Sequence, residues 1–182
     1  MPGNDSFGYG VKQNGISRRA SRGNDLHEVR KSGIQGRGVF ARRRIRPGQR
    51  IIEYTGEKVS NDEADRRYDE ENMTRHHTFL FTLDDETCLD GDVRTNTARL
   101  INHSCDPNCE AIIEGDRIWI YALKNIQPGV ELAYDYQYER TGDNIKELEK
   151  FYVCHCGSEK CRGSIMLPPK RRKKREGKRY TT

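Results

Sequence analysis

The sequence predicts a mostly β domain with one or two short helices. Strand-like stretches recur between Pro-Gly, Gly-Asp and Asp-Asp breaks. Only one segment pairs a helix start signal with a run of strong helix formers. Hydrophobic residues make up 33% of the 182 and charged residues 34%, a lean core for one domain with exposed appendages.

In chain order, residues 1–24 are rich in Gly, Ser, Asn and Arg without periodicity and are expected to be a flexible tail. Segments 26–30, 38–41 and 50–54 read as strands, with Pro47-Gly48 turning the chain between the last two. Ser60 is an N-cap and Glu63 closes a capping box, so a helix is predicted over 62–72. A strand follows at 78–83 and stops at Asp84-Asp85. A second short helix is expected just before Asn102. Segments 111–114 and 117–123 flank Gly115-Asp116, a two-residue hairpin turn. Pro128-Gly129 then precedes a strand over 131–136. The phrase Ile-x-Pro-Gly at 45–48 and 126–129 reads as one turn type used twice. Pro168-Pro169 stops the last element, and the charge run 170–179 is expected to be disordered.

Charge divides the chain into three. Residues 170–182 hold eight bases and one acid, and residues 1–50 hold twelve bases and three acids. The interval 51–169 holds thirteen bases and twenty-four acids, so the body is acidic and suits a basic partner. The basic C-terminal run reads as a nuclear-localisation patch or a nonspecific nucleic-acid anchor. No window approaches the roughly 18 apolar residues of a membrane span, and residues 1–10 show no apolar signal core. A membrane protein and a secreted disulfide scaffold are therefore not expected.

Three of six cysteines form Cys154-His155-Cys156 and, after four intervening residues, Cys161. Thiolates at this spacing converge on a soft cation, and a structural zinc needs four ligands. Cys105, Cys109, Cys88, His155 and His103 are the candidates for the fourth. The Gly36-Arg37-Gly38 segment brings backbone close to a ligand or makes an ordinary turn. Ala41 and the non-helical 42–47 exclude a dinucleotide fingerprint, and no Gly-Lys-Ser/Thr phosphate loop is present. Ser104 beside His103 does not make a hydrolase triad, because sequence neighbours rarely face each other and no nucleophile elbow is present.

Together the segments resemble the SET-domain protein-lysine methyltransferases with a C-terminal post-SET motif. The resemblance rests on Gly36-Arg37-Gly38-Val39-Phe40-Ala41, Glu53-Tyr54-Thr55-Gly56-Glu57, the stretch from Arg99 through Asn102-His103-Ser104-Cys105 to Cys109, Glu131-Leu132-Ala133-Tyr134-Asp135-Tyr136, and the cysteines at 154–161. It implies a SET domain over 25–138 with a pseudoknot, a post-SET zinc segment at 150–166 and a basic disordered tail at 167–182. It also implies S-adenosyl-L-methionine as methyl donor, held by Gln35, Gly36, Arg37, Gly38, Phe79, Asn102, His103, Tyr136 and His155. Phe79 stands where the family often has Tyr. Tyr54, Tyr134 and Tyr136 would form the lysine channel, with Tyr136 the catalytic tyrosine and Tyr134 a product switch favouring mono- to dimethylation. Cys105 would complete the zinc site with Cys154, Cys156 and Cys161. The implied substrate is a lysine of a basic protein, histones included, with nonspecific nucleic-acid contact through the tail and no membrane. An intracellular location follows, in the nucleus or on chromatin if eukaryotic and in the cytoplasm if bacterial.

Overall fold

The computed structural model describes residues 26–68, 78–140 and 145–169. The expected tail at 1–24, the charge run 170–182 and the helix end at 69–72 lie outside the described residues. Among those described, no helix is long and apolar enough to cross a membrane.

Among the described residues, ten strands form three small sheets. β1 (His27–Lys31) and β2 (Arg37–Ala41) make an antiparallel pair. β3 (Arg50–Tyr54), β7 (Asn102–His103), β8 (Cys109–Glu114), β9 (Arg117–Ala122) and β10 (Ala133–Tyr134) make a five-stranded sheet in the order β3-β9-β8-β10-β7. β4 (Glu57–Ser60), β5 (Leu80–Thr82) and β6 (Thr87–Asp90) make the third. The helices are α1 (Asn61–Arg67) and α2 (Ile145–Phe151), with a 3-10 turn at Thr97–Leu100 just before Asn102.

Most elements lie where the sequence puts them. The Ser60 hydroxyl caps α1 by accepting the Glu63 N–H, but the Glu63 carboxylate pairs with Arg66 and Arg67 and does not close the box. Ser60 already ends β4 opposite Thr87, so its backbone belongs to a sheet. The strand expected over 131–136 is only Ala133–Tyr134, because Glu131 and Leu132 pair with Phe40 and Val39 of β2 and Tyr136 gives its amide to the His103 side chain. The sequence does not announce β4, β6, β7 or α2. Each is short and the strands lean on distant partners: β4 pairs with β6, and β7 pairs with β10, while α2 is only seven residues long.

The repeated Ile-x-Pro-Gly phrase has a single structural purpose. Gly48 and Gly129 take φ of 73° and 83°, and the Gln49 and Val130 amides close the turns onto Arg46 and Gln127. Proline fixes the first central residue and glycine supplies the positive φ. The two turns face each other, with Ile45 and Ile126 exchanging both backbone hydrogen bonds at 2.9 Å. Both side chains are fully buried, among Val39, Ile101, Ile118, Ile120 and Leu132 in the core.

The feature that builds the site is a threading. β7 and β8 are separated in sequence only by residues 104–108, yet β10 lies between them in the sheet and runs parallel to both. The later segment thus passes through the loop made by the earlier one. Asn108 fastens it: its side-chain oxygen accepts the Ala133 N–H at 2.9 Å and its amide donates to the Glu131 carbonyl at 2.7 Å. Asn108→Ala is expected to destabilise the fold by about 2–3 kcal/mol, since two backbone groups lose their partners. A lower urea midpoint at unchanged slope is the expected reading.

Candidate active site

The threading sets Asn102 and His103 against 133–136. The Asn102 side-chain nitrogen lies 2.8 Å from Glu131 Oε1, 3.0 Å from Ser32 Oγ and 3.2 Å from the carbonyls of Gln35 and Arg37. Ser32 organises the same loop, accepting the amides of Ile34 and Gln35 and donating to Glu131. Gly38, one of the expected donor contacts, is not among the residues that line the larger cavity. A Cβ there would overlap the Glu131 carboxylate, so glycine makes room for the group that holds Asn102. Ser32 and Glu131 were not anticipated. The one visible signal was a Ser-Gly turn, and nothing local marks Glu131.

His103 is buried, with Nδ1 accepting the Tyr136 amide at 3.1 Å. Its proton is therefore on Nε2, 3.3 Å from the Cys105 sulfur. Burial lowers its pKa to about 4, Asp135 opposes and Arg162 adds, so the ring is neutral at pH 7. Arg162 grips Asp135 with two hydrogen bonds, at 2.7 and 2.9 Å. That bidentate pair ties the C-terminal cysteine segment to the Tyr-Asp-Tyr strand.

Aromatic rings continue from there. Tyr134 and Tyr136 have centroids 4.9 Å apart, His103 lies 5.3 Å from Tyr136, and Tyr54 meets Phe81 edge-on at 4.6 Å. The Tyr136 hydroxyl donates to the Ile101 carbonyl at 2.8 Å, and Tyr54 donates to that of Phe79 at 2.9 Å. Burial above all raises the pKa of Tyr54, Tyr134 and Tyr136, so all three remain phenols at any ordinary pH.

Two cavities meet at this wall. The larger, about 350 Å³, is lined by Gln35, Gly36, Arg37, Tyr54, Phe79, Asn102, His103, Tyr134, Tyr136 and His155 among others. It thus gathers every expected donor contact except Gly38, and its size suits a small molecule. The smaller, about 210 Å³, is lined by Phe81, Pro107, Cys109, Glu110, Leu123, Tyr134 and Tyr136 among others. Tyr134 and Tyr136 line both. Such a neutral aromatic partition offers apolar ring faces to a long side chain reaching from one cavity toward the other.

Cys105, Cys154, Cys156 and Cys161 have sulfurs within 4.8 Å of one another, and none is in a disulfide. Cys105 and Cys154 are 3.7 Å apart. A tetrahedral thiolate site with metal–sulfur bonds of about 2.3 Å has sulfurs about 3.8 Å apart, so the donor set fits. Backbone amides of Cys156, Arg162 and Gly163 point at the sulfurs of Cys154, Cys105 and Cys161. Cys88 and Cys109 lie outside the cluster and are buried; burial pushes the Cys109 thiol up to about 12.

Residues 36–137 match the SET domain. The histone-lysine N-methyltransferase, H3 lysine-4 specific, of Emericella nidulans is 42% identical over 142 residues, 74% of this chain and 11% of that protein. Histone-lysine N-methyltransferase 2B of Homo sapiens is 37% identical over 141 residues, covering 74% and 5%. Histone-lysine N-methyltransferase Set2 of Drosophila melanogaster is 38% identical over 137 residues, covering 72% and 6%. The chain thus aligns with only a small part of each of these longer relatives. The match spans both the threaded strands and the aromatic wall, and the chain belongs to the SET domain family.

Proposed function

We propose that this chain transfers a methyl group from S-adenosyl-L-methionine to the ε-amine of a lysine in a basic protein. The observation that carries the reading is the pair of cavities sharing Tyr134 and Tyr136. The larger takes the donor: Asn102, His103 and the backbone of Gln35 to Arg37 supply polar contacts, and Phe79 and His155 supply its flanks. The smaller takes the lysine. The names of the relatives, all histone-lysine methyltransferases, support a histone substrate and a place on chromatin. The domain division follows the site, with the SET domain ending at 138 and a post-SET segment at 150–166 closing the donor cavity.

Bound S-adenosyl-L-methionine supplies a sulfonium-activated methyl. Lysine has an ordinary pKa near 10.4, so about one amine in a few thousand is neutral at pH 7, and reaching that form costs about 4–5 kcal/mol. The dry wall of Tyr54, Phe81, Tyr134 and Tyr136 disfavours the ammonium and lowers that cost. Because the Ile101 carbonyl takes the Tyr136 proton, the phenol oxygen is left as an acceptor aimed by a fixed bond. It orients the amine and the methyl for in-line displacement. The protonated tyrosines cannot serve as bases, so the ammonium gives its proton to bulk solvent before its tip enters the dry wall. Positioning and electrostatics then supply most of the acceleration.

We assign zinc to Cys105, Cys154, Cys156 and Cys161. The post-SET segment it would hold carries Tyr152, Val153 and His155 into the larger cavity's lining.

Tyr134 governs how many methyl groups are added. Fully enclosed beside Tyr136, its hydroxyl takes space that further methyls need and restrains a monomethylated amine. A hydrogen bond there is worth about 0.5–1.5 kcal/mol, enough to change product ratios about tenfold. Monomethyl-lysine with some dimethyl is the expected product, and Tyr134→Phe is expected to shift it toward di- and trimethyl-lysine. Methyl counts on one target lysine at long reaction times decide it. The activity itself is tested with labelled donor and a panel of basic proteins, histones included, followed by mass spectrometry. Donor binding with no modified lysine anywhere in the panel would refute the reading.

A further inference from the structure

A basic band that the aromatic site does not use lies on the surface of the folded domain, most of it from the base-rich interval 1–50. Between β2 and β3 the chain reads Arg42-Arg43-Arg44-Ile45-Arg46. All four arginines are exposed, while Ile45 is fully buried against Ile126 and pins the loop from within. The arginines therefore stand on a fixed turn. Arg44 donates to the Asn125 side chain at 3.2 Å, which joins the loop to Lys124. Lys124 and Lys160 both lie 3.3 Å from the Asp106 carboxylate, so one acid faces two bases. Glu28 is the other nearby acid, 4.0 Å from Arg42 and 3.2 Å from Arg30. Neither Arg43 nor Arg46 is paired with a carboxylate among the described residues.

The band runs beside the smaller cavity, since Asp106 and Lys124 are chain neighbours of Pro107 and Leu123, which line it. We propose that this loop, with Lys124 and Lys160, docks the phosphate backbone of double-stranded nucleic acid next to the acceptor cavity. Four of the six cations are arginines, whose planar fork matches phosphate oxygens. Residues 42–46 expose no apolar side chain, and the exposed Leu123 beside Lys124 belongs to the smaller cavity's lining, so the arginine loop itself has nothing to insert into a lipid surface. The loop supplies four of the twelve bases that residues 1–50 hold. Resting on the methyl-transfer reading, the consequence is substrate choice. A lysine presented by a protein already lying on duplex nucleic acid enters the cavity with its carrier docked on the band, whereas a free peptide engages the cavity alone.

The test uses the full chain, the double variant Arg43→Glu/Arg46→Glu, and a tail variant, Lys173→Glu/Lys174→Glu. Binding to a random-sequence DNA duplex is followed by fluorescence anisotropy across a salt series. The loop variant is expected to bind at least about tenfold more weakly, with the salt slope reduced by about 2, at every duplex sequence tried. Its melting temperature should match the parent's, because both side chains are exposed. Affinity and slope equal to the parent's would overturn the docking surface, whatever the tail variant does. So would equal competition by polyglutamate at matched charge. A second arm compares methyl transfer to a free basic peptide and to the same segment in a nucleosome. The loop variant should keep the first and lose at least about fivefold on the second. Loss of DNA binding with nucleosome methylation unchanged would overturn the link to substrate choice. Absence of any methyl transfer by the parent would refute the proposed function while leaving the DNA arm to decide the surface.

Discussion

Tyr136→Phe is expected to lower turnover by about 10²–10³-fold while donor affinity stays within a few-fold. The ring keeps its contacts with His103, Tyr134 and Tyr138, so the partition between the cavities survives. What goes is one oxygen, fixed by its bond to the Ile101 carbonyl, that the proposed mechanism sets at the reacting centre. Removing one preorganised polar group from a dry site typically has this size of effect, and it acts on the transition state more than on binding. The Ile101 carbonyl loses its partner too, a stability cost of about 1–3 kcal/mol. Single-turnover rates on folded protein, beside a thermal melt, separate the two effects. A rate near wild type would show that Tyr136 is not the catalytic tyrosine.

Metal removal is expected to abolish turnover altogether. Freshly purified protein should carry one zinc per chain, and a structural zinc supplies folding free energy directly. Cys105 lies two residues from His103, and Arg162, next to Cys161, holds Asp135. Loss of the ion should therefore free 150–166, open the larger cavity at Tyr152 and His155, and unsettle His103. The measurements are metal content, protease sensitivity of 150–166 and turnover before and after chelation. Well under one equivalent in active protein would refute the four-thiolate site. Unchanged turnover after complete removal would refute the coupling. Acid should act like the chelator, because the thiolates must lose their protons to bind metal.

Much of this was legible in the sequence, for local reasons. Pro-Gly and Gly-Asp turns, the Ser60 cap and the Cys-x-Cys spacing are short-range chemistry, and each recurs in the structure. The four sulfurs gather as the resemblance implied, and all but one of the expected donor contacts line one cavity. What escaped was long-range. Glu131 and Ser32 meet Asn102 across 29 and 70 residues. Arg162 reaches Asp135 across 27. No periodicity announces such pairs, since they exist only once the chain is threaded. The β7–β10 pairing was legible only through the family resemblance; nothing in the composition or the local pattern of either segment shows it. Gly38 was expected at the ligand for its lack of a side chain, and that lack serves a carboxylate behind the cavity.

The threaded strand also governs how the chain is made. β10 can enter between β7 and β8 only after residues 133–134 have left the ribosome, and the cysteine segment follows later still. Chains emerge at about 5–20 residues per second, so the hairpin β8–β9 is out for roughly a second or more before its last neighbour arrives. During that time the β7 and β8 edges that β10 will cover are open to any other strand. Nascent chains stalled before residue 133 should therefore bind chaperones that recognise apolar segments, and chains stalled after residue 166 should not.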